Sequence, residues 1–333
     1  MTRRRPVVQI AALVVALVLG AAACTSVSSA DSRTETVADD DNNNPTPPPT
    51  AADPPVTLPG PGVPAGECQL VTYTPPTAEN ANQGQLCVPA GLRRDAAVVL
   101  IHGGGGTGGD YTAMAGWADV YNEAGYTTLA INYHLFAPGV ESPVFPYPEQ
   151  DVKASVQYLR GIADAIGADP ERIAVHGLSA GARVGAVAYT TPDDDWFEGP
   201  AIWDGIDDHV NAFIGFYSTY DGTLANDIQY HGGPRDDPDP AVRARWKKAD
   251  AIVNSSDVVG PALFFTGDLD WAALITQQEQ FVDGVVGAGF TSDSLVSPGG
   301  DHGYDLNGVG LSPAGDVSAV FALAWLDRLW PSG

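Results

Sequence analysis

Short apolar runs and longer segments of helical periodicity alternate from residue 96 to the end of the chain. The run at residues 97–101, Ala-Val-Val-Leu-Ile, is apolar throughout, which is typical of a parallel strand buried on both faces. We predict strands at residues 97–101, 127–132, 172–176, 210–217, 261–266 and 294–297. We predict helices at residues 114–125, 149–166, 180–189, 277–288 and 313–329. Repeated strand–helix units predict a doubly wound, mostly parallel sheet in an α/β domain at residues 67–333.

One segment interrupts this alternation. Residues 218–257 are acidic, contain Pro and Gly, and include Tyr220, Tyr230 and Trp246. We interpret them as a small lid-like insert that shapes a substrate pocket. A plain surface insertion is the alternative.

Composition limits the partners of the protein. Its 333 residues suffice for one large domain with appendages, and a hydrophobic content of 44% can supply the core. The chain has 16 Lys and Arg against 41 Asp and Glu, a formal net charge of −25. Because binding to phosphates needs clustered cations, we expect no nucleic-acid partner.

The N-terminal residues have the layout of a secretory signal peptide at residues 1–23. Three arginines at residues 3–5 precede an apolar stretch at residues 7–20, three alanines and then Cys24. A cysteine in this place resembles the lipobox of bacterial lipoproteins, although Ala21 stands where such boxes usually carry Leu. The resemblance implies that Cys24 is lipidated and anchors the exported protein to the outer face of the cell membrane. An ordinary secretory signal, with a freely secreted product, is the alternative.

A tether is predicted at residues 24–66, which are rich in Pro, Asp and Asn and poor in large apolar residues. Such a segment cannot bury enough surface to offset its ordering entropy.

Two further cysteines follow, Cys68 and Cys87. Because export brings them into an oxidising compartment, we predict a disulfide between them, worth about 3 kcal/mol.

The strongest chemical signal is Gly-Leu-Ser-Ala-Gly at residues 177–181. It lies between a predicted strand and a predicted helix, which is the context of a G-x-S-x-G nucleophile elbow. The helix N-terminus favours developing negative charge. We therefore predict that Ser179 is a catalytic nucleophile; a packing turn with a solvated serine is the alternative.

A glycine-rich loop follows the first predicted parallel strand, with the sequence His-Gly-Gly-Gly-Gly at residues 102–106. It resembles the H-G-G-G oxyanion motif of esterases and lipases. The amides of Gly104, Gly105 and Ala180 are the expected oxyanion-hole donors. The alternatives are a flexible glycine loop or a phosphate cradle, although the Lys-Ser/Thr of a P-loop is missing.

A general base and an orienting acid should follow the serine in the chain. His302, in a loop after the last predicted strand, is the expected base. We expect His209 and His231 to be solvated surface residues. The acid should follow the strand at residues 261–266, where both Asp268 and Asp270 are candidates.

The remaining histidines, His102, His134 and His176, show no metal-ligand spacing. We therefore expect neither a catalytic metal nor a cofactor. His102 is expected to order the glycine loop, and His176 to be packed beside the elbow.

Taken together, the elbow, the glycine loop and His302 resemble the α/β-hydrolase superfamily over residues 96–330. The nearest branches are the carboxylesterases with an H-G-G-G loop, whether hormone-sensitive-lipase-like or acetyl- or feruloyl-esterase-like. Their G-x-x-D pattern selects Asp270 as the acid, with Asp268 as a turn-capping carboxylate. Two features depart from the hormone-sensitive-lipase-like pattern: Leu178 stands where Asp is usual, and no long N-terminal cap is present.

The resemblance implies a serine esterase that cleaves carboxylic esters through an acyl-enzyme. An acidic rim would disfavour anionic substrates, so we expect short-chain acyl esters, either small molecules or esters linked to polysaccharides. One alternative is an exopeptidase of the prolyl-oligopeptidase type, although the chain has no room for a propeller. The other is a non-catalytic binding protein on a hydrolase scaffold.

Overall fold

A computed structural model describes residues 64–74, 82–136, 142–197, 205–223 and 226–331. The predicted signal peptide, Cys24 and nearly all of the predicted tether lie outside these ranges. None of the helices within them has the length and apolar character needed to cross a bilayer.

The main sheet contains eight strands in the order β1-β2-β4-β3-β5-β6-β7-β8. The pairs β1–β2 and β2–β4 are antiparallel, and all later pairs are parallel. The strands are β1 Cys68–Thr72, β2 Gln83–Cys87, β3 Ala97–Ile101, β4 Thr127–Ile131, β5 Ile173–Leu178, β6 Ala212–Phe216, β7 Ala262–Gly267 and β8 Ser292–Ser297. A separate two-stranded hairpin follows, with β9 Leu306–Asn307 and β10 Gly310–Leu311.

Helices connect the strands. They are α1 Ala115–Glu123, α2 Tyr147–Gly161, α3 Ala163–Ile166, α4 Ala180–Thr190, α5 Asp227–His231, α6 Pro240–Lys248, α7 Ala272–Gly287 and α8 Pro313–Leu329. The predicted doubly wound, mostly parallel sheet is confirmed.

Continuous apolarity in the central strands reflects cores on both faces of the sheet. In β3, Val99 and Ile101 join one core cluster, while Val98 and Leu100 join the other. The first cluster includes residues of α2, α4 and α7, and the second includes residues of α1 and α8. Every residue of β3 is buried, which explains why this strand lacks polar alternation.

The sequence prediction missed the hairpin of β1 and β2. β1 is mostly exposed and has no continuous apolar run. The predicted disulfide is present: Cys68 and Cys87 face each other across the hairpin and are bonded. The bond therefore joins the first two strands at one edge of the sheet.

The described part of the insert at residues 218–257 packs its aromatic side chains inwards. Tyr220, Tyr230 and Trp246 are all buried. The expectation that His231 is a solvated surface residue is wrong. Its ring is buried, stacks on Trp246 with centroids 3.9 Å apart, and its Nε2 lies 2.9 Å from the carbonyl oxygen of Gly222. Burial lowers the pKa of His231 to about 3, so the ring is neutral.

Candidate active site

Ser179 occupies a strained turn between β5 and α4. Its φ of 50° is positive, which is uncommon for a residue with a side chain and is typical of a nucleophile elbow. The turn is possible only because its flanking residues are glycines. A Cβ on Gly177 would lie 2.5 Å from the backbone of α4, and one on Gly181 would lie 2.4 Å from the carbonyl oxygens of Ile101 and His102.

A continuous hydrogen-bonded chain joins Ser179, His302 and Asp270. Ser179 Oγ lies 2.9 Å from His302 Nε2, and His302 Nδ1 lies 2.9 Å from Asp270 Oδ2. The Asp270 side chain is only 1% exposed, so its charge acts on the imidazole with little screening by water. Its other oxygen accepts the backbone N–H of Trp271 at 2.8 Å.

The two candidate acids have different partners in the structure. Asp268 accepts the backbone N–H of Gly299 at 2.6 Å and thereby links two loops at the carboxyl edge of the sheet. Asp270, two residues later, faces His302. The carboxylate that the structure brings to the histidine is therefore that of Asp270.

The glycine loop reaches the same place from the end of β3. Gly104, Gly105 and Ala180 line one cavity together with Ser179 and His302. Gly104 has a φ of 115°, and a Cβ there would lie 2.0 Å from the carbonyl oxygen of Gly108, so only glycine fits. Ala180 is the first residue of α4, where backbone N–H groups have no partner within the helix.

His102 orders this loop rather than taking part in the serine chain. Its ring stacks on Tyr133 with centroids 4.6 Å apart, and its Nδ1 lies 2.6 Å from the carbonyl oxygen of Gly103. The hydroxyl of Tyr133 donates to the carbonyl oxygen of His102 at 3.1 Å. Burial lowers the pKa of His102 and so favours the neutral form of the stacked ring.

The cavity above Ser179 has a volume of about 710 Å³. Among the described residues that line it, His302 is the only Asp, Glu, Lys, Arg or His. The apolar and aromatic lining residues are Ala113, Leu178, Ala180, Tyr217, Trp271, Leu274 and Leu306. Only Ser218, Thr219 and Thr223 of the insert reach the cavity, so most of the described insert does not line it.

Sequence reasoning missed the residues that support the site from β6. Ser218 Oγ donates to the carbonyl oxygen of Ser179 at 2.7 Å. The ring of Tyr217 packs edge-on against His302 with centroids 4.9 Å apart, and its hydroxyl donates to Asp305 at 2.7 Å. The other oxygen of Asp305 accepts Trp117 Nε1 at 2.8 Å. The only feature of the sequence that could have indicated these residues is their position, because residues 217 and 218 directly follow a buried strand that pairs with β5.

A buried ion pair fixes the helix that carries the nucleophile at its N-terminus. Arg183 lies one turn after Ser179, and its Nη2 is 3.2 Å from Oε1 of Glu149 in α2. Tyr230 donates its hydroxyl to the same carboxylate and lies under the guanidinium, 4.1 Å from the ring centroid. Burial raises the pKa of Glu149 to about 7, whereas Arg183 and Tyr230 lower it.

Few groups of side chains in the described ranges could hold a metal ion. One group of donor atoms lies within 4.8 Å of one another, from Asp207, Asp208 and His209. Asp208 already pairs with Lys153 at 2.7 Å, and His209 Nε2 lies 3.1 Å from Asp193. Protein partners thus account for this acidic cluster.

The sheet order, the serine elbow and the loop that carries His302 together define an α/β-hydrolase fold. The BD-FAE family model matches residues 86–254, and the chain belongs to this family. The resemblance to carboxylesterase branches that the motifs indicated is therefore confirmed.

Two proteins with esterase activity in their names are similar to this chain in sequence. Esterase LipC of Mycobacterium tuberculosis is 26% identical over 240 residues, 67% of this chain and 57% of LipC. The probable carboxylic ester hydrolase LipM of the same organism is 33% identical over 110 residues, 32% of this chain and 24% of LipM. The matched part of the chain thus spans 57% of the length of LipC and 24% of the length of LipM.

Solved structures share the fold. The thermophilic esterase Est2 of Thermogutta terrifontis with bound propionate has a TM-score of 0.66 at 22% identity, covering 80% of this chain and 97% of that one. The same enzyme phosphorylated by paraoxon gives a TM-score of 0.64 at 20% identity, covering 79% and 94%. A truncated carbohydrate esterase from gut microbiota gives 0.60 at 20% identity, covering 80% and 99%.

Proposed function

We propose that this protein is a serine esterase that cleaves carboxylic esters. The observation that carries the proposal is the hydrogen-bonded chain from Ser179 through His302 to Asp270, whose serine lies in the cavity beside the glycine loop. Nucleophile, base and orienting acid within hydrogen-bond reach are what acyl transfer needs.

The reaction follows from the geometry in two halves. His302 Nε2 takes the proton of Ser179 as the hydroxyl oxygen attacks the ester carbonyl. The amides of Gly104, Gly105 and Ala180 bind the oxyanion, and a site with one such donor removed loses about 2.7–4 kcal/mol of transition-state stabilisation. His302 then protonates the leaving alcohol, and the acyl group stays on Ser179.

The second half releases the acid. Water replaces the alcohol and gives its proton to His302 as it attacks the acyl-enzyme. Collapse of the second tetrahedral intermediate returns that proton to Ser179. Throughout, Asp270 keeps the Nδ1 proton directed towards itself and stabilises the imidazolium.

The substrates we propose are neutral esters with short acyl groups. Among the described residues, the lining of the cavity includes no Lys or Arg side chain that could hold an anionic substrate. The Est2 structures with bound propionate and bound butyrate also favour short acyl groups. A series from acetyl to decanoyl esters should show the highest kcat/KM at short chains; rates rising steadily with chain length would contradict this.

Two measurements test the activity. Wild-type protein should react with a fluorophosphonate probe and hydrolyse p-nitrophenyl acetate, and Ser179→Ala should lose both. A mass spectrum of the labelled peptide should place the probe on Ser179. Undiminished turnover by Ser179→Ala would refute the assignment, and a protein that does not react with the probe would favour a binding role.

We also propose that the protein is exported and held at the membrane through Cys24. The disulfide between Cys68 and Cys87 supports an oxidising compartment. Mass spectrometry of the N-terminus from native membranes should find an acylated Cys24, and Cys24→Ser should release the protein to the soluble fraction. An N-terminus that starts elsewhere, without lipid, would refute the anchor.

A further inference from the structure

An exposed tryptophan stands at the rim of the cavity. Trp271 is 69% exposed, directly follows Asp270, and lines the cavity. Its ring stacks on that of His302 with centroids 5.6 Å apart and an interplanar angle of 25°. One face of the indole thus meets the imidazole, while most of the side chain remains open to solvent.

Exposure alone would not make this residue unusual, because single apolar side chains on a surface are common. Leu269, two residues earlier, is also 69% exposed, but it does not line the cavity. Trp271 differs from Leu269 in its place beside the general base and in its flat aromatic surface. A comparison of variants at Trp271 and Leu269 therefore distinguishes an effect of position at the site from an effect of exposure alone.

The chemistry of the proposed reaction decides which half of an ester lies near Trp271. His302 Nε2 must come within about 2.6–3.2 Å of the leaving oxygen to protonate it. The alcohol portion of the ester begins at that oxygen, so it leaves the reacting centre beside His302. The oxyanion donors hold the carbonyl oxygen from the other side, at the glycine loop. The side chain next to His302 therefore meets the alcohol, not the acyl group.

The cavity lining restricts the kind of alcohol. Leu274, whose backbone N–H donates to the carbonyl oxygen of Trp271, is apolar, and Gly303, which follows His302, has no side chain. The hydroxyl groups that the insert contributes to the lining already donate to protein oxygens; they belong to Ser218, Thr219 and Thr223. A sugar at this position would present several hydroxyl groups that need hydrogen-bond partners, and desolvating them without such partners is costly. An aromatic ring needs none and can stack on the indole.

We propose that Trp271 selects esters of aryl alcohols by stacking on the ring of the leaving group. This inference rests on the proposed esterase function and specifies its substrate class. A ring–ring contact of this kind changes affinity by about two- to twelvefold beyond the effect of buried area. Loss of the indole should therefore reduce kcat/KM for aryl esters about five- to tenfold.

The experiment compares three variants on three acetates that share one acyl group. Trp271→Ala removes the ring but keeps the backbone N–H that Asp270 accepts. Trp271→Phe keeps a smaller ring, and Leu269→Ala is the matched control for exposure. The substrates are 2-naphthyl acetate, ethyl acetate and 6-O-acetylglucose, whose sugar keeps its other hydroxyl groups free. Each variant is expressed relative to wild type on the same ester, so intrinsic reactivities cancel.

The expected result is a loss that is largest on the aryl ester. Trp271→Ala should lower kcat/KM on 2-naphthyl acetate about five- to tenfold more than on ethyl acetate, mainly through KM. Trp271→Phe should recover at least half of the lost activity, and Leu269→Ala should match wild type on all three esters.

Three outcomes would overturn the inference while leaving the esterase function intact. An equal loss on ethyl acetate would mean that Trp271 acts through His302. A loss confined to the sugar acetate would assign the indole to a carbohydrate. Unchanged kinetics on all three esters would remove any role in selection. Failure of wild-type protein to hydrolyse any of them, without reaction at Ser179, would instead refute the proposed function.

Discussion

Replacing Asp270 by Asn changes one charge while preserving shape, and the structure predicts a large kinetic effect. The carboxylate is buried, with one oxygen 2.9 Å from His302 Nδ1 and the other accepting the N–H of Trp271. An amide in its place can present its NH₂ group to Nδ1. The imidazole proton would then move to Nε2, and Nε2 could no longer accept the proton of Ser179.

Two contributions determine how much activity the Asp270→Asn variant should lose. The attraction between a carboxylate and an imidazolium about 4 Å apart is roughly 4 kcal/mol at an effective dielectric constant of about 20. The wrong tautomer adds a further cost, and the same exchange in a serine-protease triad lowers kcat by about 10⁴-fold. We expect kcat/KM to fall by about 10³- to 10⁴-fold, which is about 4–5.5 kcal/mol.

The assay is steady-state hydrolysis of p-nitrophenyl acetate, with Asp268→Asn as the matched control. Among the described residues, the Asp268 side chain bonds only to the backbone N–H of Gly299, so the Asp268→Asn variant should stay within about fivefold of wild type. Near-wild-type turnover by Asp270→Asn, or an equal loss in Asp268→Asn, would refute the assignment of the acid. Circular dichroism of both variants checks that the fold is retained.

Three further predictions concern stability. Arg183→Met leaves the Glu149 carboxyl buried without its cation and should cost about 3–5 kcal/mol in urea unfolding at pH 7.5; a loss below 1 kcal/mol would contradict this. Cys68→Ser removes the bond to Cys87 and should lower the free energy of unfolding by about 3 kcal/mol. Wild type treated with a reductant should show the same loss, and no change in either sample would argue against the bond. Because the pKa of His231 is about 3 when folded and near 6.5 when unfolded, protonation favours the unfolded chain as pH falls below 6.5. His231→Gln should therefore reduce the stability lost between pH 7.5 and pH 5 by about 2 kcal/mol, and an unchanged pH dependence would refute the neutral buried ring.

The sequence predicts those parts of the fold in which the local pattern of apolar and polar residues reflects how each residue is buried. β3 is apolar at every position because both of its faces are buried, so it could be assigned from five residues. β1 could not, since most of its side chains are exposed and its pairing with β2 depends on a distant segment. Helix α7 begins at Ala272, five residues before the predicted start, because the turn after Asp270 leads directly into it.

The residues of the site also differ in how far the local sequence predicts them. The serine elbow and glycine loop are local motifs, so contiguous residues predict them. Choosing between Asp268 and Asp270 required the family pattern, because both follow β7 and only the turn determines which one meets His302. The burial of His231 arises from stacking on Trp246, fifteen residues later, which no local pattern around the histidine records.

The close approach at Gly181 has a consequence for redesigning this protein. The helix behind the nucleophile packs directly on the carbonyl oxygens of Ile101 and His102, where β3 ends and the glycine loop begins. The distance between the attacking oxygen and the oxyanion donors is thus set by a backbone-to-backbone contact, with no side chain between them that could be exchanged. Directed evolution for new substrates should find its gains on the rim of the cavity. Libraries that include position 181 should lose turnover on every substrate at once.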